Sequence, residues 1–277
     1  MADAAQLLSP AMRLGVPAAA LGFMALEYAA ARLLRHDSHD WRESAASLGV
    51  AAGQNLLRAA QAGLLALPLE IAWRHRLFDI PGGGWLSWLG VFLGVELLYY
   101  WQHRASHRIR WFWATHSVHH SSTRMNLTAA IRLGWTGGFS GHGLFMLPLA
   151  LLGFHPLMIL AALGLNLLYQ FFIHTELAPR LGPLEWVLNT PAHHRVHHAS
   201  NPACLDRNFG GVLIVFDRLF GTFAEAPRGE ALHYGLAGRP ASLNPLRIAL
   251  GEWLAMGRDA WRARGWRARW RALFGTP

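Results

Sequence analysis

At 277 residues the chain is long enough for one or two domains, but 53% hydrophobic residues, 13 tryptophans and only 15% charged residues give it the composition of a membrane protein. All 25 basic residues are arginine and the formal net charge is +9, a balance that in so apolar a chain suits anionic lipid head groups; no nucleic-acid motif accompanies it. The single cysteine, Cys204, excludes an intrachain disulfide and a thiolate metal cluster, and reads as a small buried residue.

In chain order, residues 11–34 form an Ala/Leu-rich run interrupted by Pro17 and Glu27 and ending in Arg32 and Arg35. This is the first membrane helix, and with no basic stretch and small-residue cleavage site around it, it is expected to be a retained anchor. The following His36-Asp-Ser-His39 loop reads as a solvated connection. Residues 45–72 give a second apolar helix whose Gln54, Asn55, Arg58 and Gln61 should face other helices or the interface. Pro81-Gly-Gly-Gly84 breaks the chain before a third membrane helix over 85–102, whose continuation carries His103 and His107.

Residues 103–133 are polar and aromatic and form one half of a histidine-rich cap. Residues 139–154 and 157–174 make an apolar pair hinged at Gly153-Phe-His-Pro156, each limb short for a full crossing. Asn166, Gln170 and His174 recur every four residues along the second limb, a polar stripe that would be costly against lipid and is explained by a metal centre. Residues 179–223 supply the other half of the cap. From 243 to 274, leucine, tryptophan and arginine alternate at helical spacing, as in an amphipathic helix lying on an anionic membrane surface. The whole reads as a single all-α membrane domain: a helical bundle of about four or five membrane helices or hairpin limbs under the cap.

Three histidine clusters dominate the middle of the chain: His103-Arg-Ala-Ser-His107, His116-Ser-Val-His119-His120 and His193-His194-Arg-Val-His197-His198. Residues four apart share a helix face, so His103 and His107 can grip one ion. In His-x-x-His-His the adjacent pair diverges by roughly 100° around the axis, so one member can serve one metal and its neighbour another. His103, His107, His116, His119, His120, His194, His197 and His198 are too many imidazoles for one ion, and His174 and His193 are further candidates; two metals follow. Imidazole suits Zn, Cu, Fe and Ni alike, which leaves the metal open. Glu96, on nearly the same stripe as the first pair, could orient a ligand imidazole. Asp206 and Asp217 could do the same, or could form loop salt bridges with Arg207 and Arg218.

Arg32, Arg35, Arg42, the arginines of 104–132 and the C-terminal set would share one side of the membrane, against Arg13, Arg74 and Arg76 on the other. By the positive-inside rule the metal centre faces the cytoplasm. Arginine-only usage fits a GC-rich genome, and a bacterial inner membrane is the expected location.

Glu96-Leu-Leu-Tyr-Tyr-Trp-Gln-His103, Trp113-Ala-Thr-His116, Asn189-Thr-Pro-Ala-His193, Asn208-Phe-Gly-Gly211 and Asp217-Arg-Leu-Phe-Gly-Thr222 frame these clusters. Together they resemble the fatty acid hydroxylase/sterol desaturase superfamily over roughly residues 90–223, with the nearest likeness to its alkylglycerol monooxygenase-like branch. The resemblance implies a membrane-embedded non-haem di-iron enzyme that uses dioxygen to hydroxylate or desaturate a lipid C–H bond. It puts the iron-ligand role on the eight cluster histidines from His103 to His198, leaving out His174 and His193. No fused cytochrome or ferredoxin-like segment is seen, so an external electron donor is expected, a separate protein or a small molecule such as a reduced pterin. Two rival readings remain. A membrane zinc hydrolase lacks any His-Glu-x-x-His, and its one partial match, Glu230-Ala-Leu-His233, stands away from the clusters. A non-enzymatic metal- or haem-binding or transport protein is the alternative from another class.

Overall fold

The computed structural model describes residues 10–277; for 10–14 and Ala59 only the backbone is described, so the Arg13 side chain used in the charge argument lies outside the described residues. The first helix, α1, spans Pro10–Leu33. The second, α2, spans Trp41–Arg74 and begins at Asp40, whose carboxylate accepts hydrogen bonds from the backbone of Arg42 (2.7 Å) and Glu43 (3.2 Å). It bends by 56° between Trp41–Arg58 and Ala60–Arg74. Helix α3 is one continuous rod, Trp85–Arg108, and α4, Arg110–His120, turns back at Ile109. The short α5, Leu127–Ala130, follows.

Within the stretch expected as a hairpin limb over 139–154 lie a 3-10 turn, His142–Met146, and α6, Leu147–Leu152. The chain reverses at Gly153, whose φ of +121° a side chain would not tolerate. It then enters α7, Pro156–Ile173. Helices α8, Pro191–His198, and α9, Val215–Leu219, belong to the cap. The single helix expected over 243–274 is two, α10, Pro245–Arg262, and α11, Trp266–Phe274, divided where Gly265 takes a φ of +83°. Nor does α10 simply lie on a surface: its Ile248, Ala249, Glu252 and Met256 are buried.

Among the described residues there is no strand, only two isolated bridges, and the protein is an all-α integral membrane bundle. Gly15–Leu33 and Pro156–Ile173 are long and apolar enough to cross a membrane, and the bent α2 makes a third if it counts as one span. The main core joins Val91, Val95 and Tyr99 of α3 to Leu69 of α2, Leu149 of α6, and Met158, Ile159 and Ala162 of α7. Gln61 of α2 faces another segment, as expected of a polar residue there, donating to the Trp135 carbonyl (2.7 Å) and accepting from the Gly138 N–H (2.8 Å). The His36–His39 loop is less solvated than its composition suggested. The His39 side chain is shielded 3.4 Å from buried Glu27, and Glu27 also accepts the Leu127 N–H (2.7 Å), so a carboxylate inside α1 fastens that helix to the cap.

Candidate metal centre

Four elements carry the histidines to one place. The polar end of α3 holds His103 and His107 one turn apart; α4 returns His116, His119 and His120; His174 directly follows α7; and α8 presents His194, His197 and His198. Their ring nitrogens sort into two groups, each with all donor atoms within 4.8 Å of one another. The first contains His103, His107, His116, His120 and His197, the second His119, His174, His194 and His198. The adjacent pairs His119/His120 and His197/His198 are thus each divided between the groups, as their angular divergence on a helix requires. The groups touch: the rings of His120 and His198 stack with centroids 4.4 Å apart.

Within each group the Nε2 atoms face one another. His116 Nε2 stands 3.0 Å from that of His103 and 3.1 Å from that of His120. In the second group His174 Nε2 lies 3.0 Å from His119 and 2.9 Å from His194, and His194 lies 3.1 Å from His198. His103, His197 and His174 place Nδ1 against the carbonyls of Phe209 (2.8 Å), Arg207 (2.9 Å) and Gln170 (2.6 Å). With Nδ1–H donating outward, each of these rings turns an Nε2 lone pair inward. The inward nitrogens of His107 and His197 have no hydrogen-bond partner at all. Facing lone pairs repel unless a cation lies between them. Nitrogens held at right angles around an ion by bonds of about 2.1 Å would be about 3.0 Å apart, so the donor set fits a metal in each group.

The protonation state fits as well. Burial first, and the neighbouring imidazoles second, hold His107, His116, His120, His194 and His198 well below the ordinary histidine range. Burial takes His197 down to about 4, although its bond to the Arg207 carbonyl opposes the shift. The rings are therefore neutral at physiological pH, which is the ligating form.

Two of the three carboxylates singled out in the sequence, Glu96 and Asp217, hold backbone N–H groups rather than imidazoles. Glu96 is fully buried and accepts from Asn166 Nδ2 (2.5 Å) and from the backbone N–H groups of Val212 and Leu213 (2.8 Å each). Asp217 accepts from the N–H groups of Phe209 and Gly210 (2.7 Å each) and from Thr222 Oγ1 (2.7 Å). The salt bridge considered for Asp217 with Arg218 does not form. Between them the two carboxylates clamp the loop 206–213, whose carbonyls at 207 and 209 receive His197 and His103. A Cβ at Gly211 would overlap the Asn166 amide that donates to Glu96, so a larger residue there would displace that amide. Asn166 in turn accepts from Gln170 Nε2 (2.6 Å), and Tyr99 donates to Gln170 Oε1 (3.0 Å), so the polar stripe of α7 runs from Glu96 to the turn that carries His174. Asp206 pairs with Arg108 (2.5 Å), not Arg207, and its other oxygen stands 3.9 Å from His107.

His193 belongs to neither group: its Nδ1 reaches back to accept from the Thr190 backbone N–H (3.5 Å) at the start of α8. Histidine spacing could not reveal the role of Asn208, which holds a φ of +56° and donates to the carbonyls of His193 (3.1 Å) and Ala224 (2.8 Å), shaping the carbonyl-bearing loop. Its only signal was the Asn-Phe-Gly-Gly run itself, since a left-handed asparagine before two glycines marks a tight, backbone-directed loop. A cavity of about 270 Å³ opens beside the first group, lined by His107, His120, His197, Trp113, Arg108 and Asp206 among others.

Comparison with known proteins agrees with this geometry. The fatty acid hydroxylase family model matches residues 88–222, which contain every histidine of both groups. The chain is 40% identical over 203 residues to an alkylglycerol monooxygenase of Xenopus tropicalis, covering 73% of this chain and 45% of that protein. It is 49% identical over 168 residues to an alkylglycerol monooxygenase of Danio rerio (61% and 35%), and 31% identical over 161 residues to the ornithine lipid hydroxylase OlsE of Rhizobium tropici (57% and 48%). The chain thus spans less than half the length of these relatives. No solved structure matches it. With the family's matched region coinciding with the histidine-bearing helices, residues 88–222 of the chain belong to the fatty acid hydroxylase family.

Proposed function

We propose that the protein is a membrane oxygenase that holds two iron ions, one in each histidine group, and uses dioxygen to hydroxylate a lipid C–H bond. The observation that carries this reading is the sorting of nine neutral histidines, seven of them buried and two half-buried, into two touching donor sets within the family region. The irons would supply the redox chemistry with dioxygen, which no side chain of the chain can perform. The protein's part is to hold the imidazoles neutral, fix their tautomers through the carbonyls of Arg207, Phe209 and Gln170, and exclude water by burial. Hydroxylation is favoured over desaturation by the relatives' names, monooxygenase and lipid hydroxylase. Those names also nominate the first substrates to try, an alkylglycerol and an ornithine lipid.

The same reading extends to an external electron donor, a separate protein or a reduced pterin, and to a metal centre facing the cytoplasm, supported by the arginines of 104–132 on the cap. The test is to purify the protein from membranes, measure iron, and supply each candidate lipid with a reductant under isotopically labelled dioxygen. About two irons per chain and label in the product are expected. Iron-free protein, a haem absorption band, or metal flux without product would overturn the proposal, and an unlabelled double bond would replace hydroxylation by desaturation.

A further inference from the structure

We propose that the end of α10 and the whole of α11 form a basic, tryptophan-bearing foot that rests on an anionic bilayer surface and ties the histidine groups to it. Six arginines, Arg258, Arg262, Arg264, Arg267, Arg269 and Arg271, are all exposed, and among the described residues none forms an ion pair. The one acid in this stretch, Asp259, is taken by Arg110 of α4 at 2.6 Å. Between the arginines stand three tryptophans that are 86%, 72% and 57% exposed: Trp261, Trp266 and Trp270. Trp266 and Trp270 lie one turn apart on α11. Large exposed indoles among unpaired cations match the boundary of a bilayer, where the ring sits at the head groups and the charge meets lipid phosphates.

The occupant is a membrane rather than an acidic protein, because α1 and α7 already set this chain in a bilayer and the exposed indoles need an apolar neighbour. The foot is not a free tail. Arg110 donates from its backbone to the Gly275 carbonyl (2.9 Å) and from its guanidinium to Glu252 (3.1 Å), Asp259 and the Ala272 carbonyl (3.3 Å). Trp111 stacks on Phe274 with centroids 5.7 Å apart. Arg110 and Trp111 open α4, the helix that carries His116, His119 and His120, so the foot sets the height of the metal centre above the lipid.

The experiment places a spin label at position 270 (W270C in a C204A background) in the full chain, reconstituted in nanodiscs of neutral phosphatidylcholine or of phosphatidylcholine with phosphatidylglycerol. Depth is read from the label's accessibility to oxygen against a water-soluble nickel chelate. In the anionic discs the label should lie about 5–10 Å into the head-group and acyl boundary. It should rise toward water in neutral discs, and equally in anionic discs when the six arginines are glutamine. A label that stays in water in anionic discs, or whose depth ignores both lipid charge and the arginine replacements, overturns the proposal. So does protection of the label by an added acidic protein but not by anionic lipid. Normal metal content in the glutamine variant separates loss of the foot from loss of the fold, and the outcome is independent of whether the bound metal is iron.

Discussion

The five-histidine group draws on α3, α4 and α8, while the four-histidine group draws on α4, α8 and the turn after α7. All four members of the smaller group are buried; in the larger, His107 and His116 are only half-buried, and the open cavity borders three of its rings against one of the other's. Their supports differ too. Two rings of the larger group lean on carbonyls of the clamped loop 206–213, whereas in the smaller group the Nδ1 atoms of His119 and His194 find no partner and His174 alone leans on a carbonyl, that of Gln170. The same His-x-x-His-His motif therefore builds one enclosed site fastened to α7 and one more open site fastened to a loop. The open one is where ligand exchange with the aqueous side should be faster.

Removing one ligand from each group probes the difference most strongly. H119A should empty the four-histidine group and H120A should weaken the five-histidine group, each lowering product formation by about 100-fold or more. Metal analysis should read near one ion per chain for H119A, and between one and two for H120A, where four donors remain. Equal loss of both ions in both variants would mean that the groups bind metal as one unit.

The loop clamp gives the next largest effect. D217N turns an acceptor into an amide that cannot accept from both Phe209 and Gly210, so the Phe209 carbonyl beneath His103 should shift. We expect a 10- to 100-fold loss of metal affinity in the five-histidine group alone, measured by competition with a chelator. A loss shared by both groups would remove the assignment of this carboxylate to one site.

Acid should act on the metal-free protein. The folded imidazoles have lowered pKa values, so below the ordinary histidine value of 6.5 the unfolded chain binds protons that the folded chain refuses. Stability should be undiminished by these groups above pH 6.5, fall progressively as pH drops below it, and for His197 continue falling to about 4. Thermal melts of metal-free protein from pH 8 to 4.5 test this, and a Tm flat across that range would contradict the burial of neutral rings.

The smallest effect is expected at the histidine outside both groups. H193A should leave metal content unchanged and cost about 1 kcal/mol through the lost helix-start contact, seen in chemical denaturation. Loss of an ion in H193A would bring it back among the ligands.

Much of the site was legible because helix geometry is local. The i,i+4 clips His103/His107 and His116/His120, the division of adjacent histidines and the polar stripe ending at His174 all follow from residues per turn and the cost of polar groups against lipid. Hydropathy marks 139–154 as apolar without showing that Gly141 and Gly153 confine its helix to the short stretch between them. Sequence reasoning also kept His193 as a further candidate beside the eight cluster histidines, because a helix-start contact with Thr190 and a ligand are indistinguishable by spacing. Glu96, Asp206 and Asp217 were flagged as chemically significant, but their partners lie up to 117 residues away in sequence.

The order of residues along the chain, through the period of the helix and the apolarity of its runs, determined an all-α membrane protein with its imidazoles clustered on shared helix faces. Only the tertiary structure decided that five go to one group and four to the other, and that backbone carbonyls of one clamped loop hold two of the rings. Those outcomes depend on which segments meet in space, and contacts across so many residues are set by the packing of the whole bundle rather than by any local pattern.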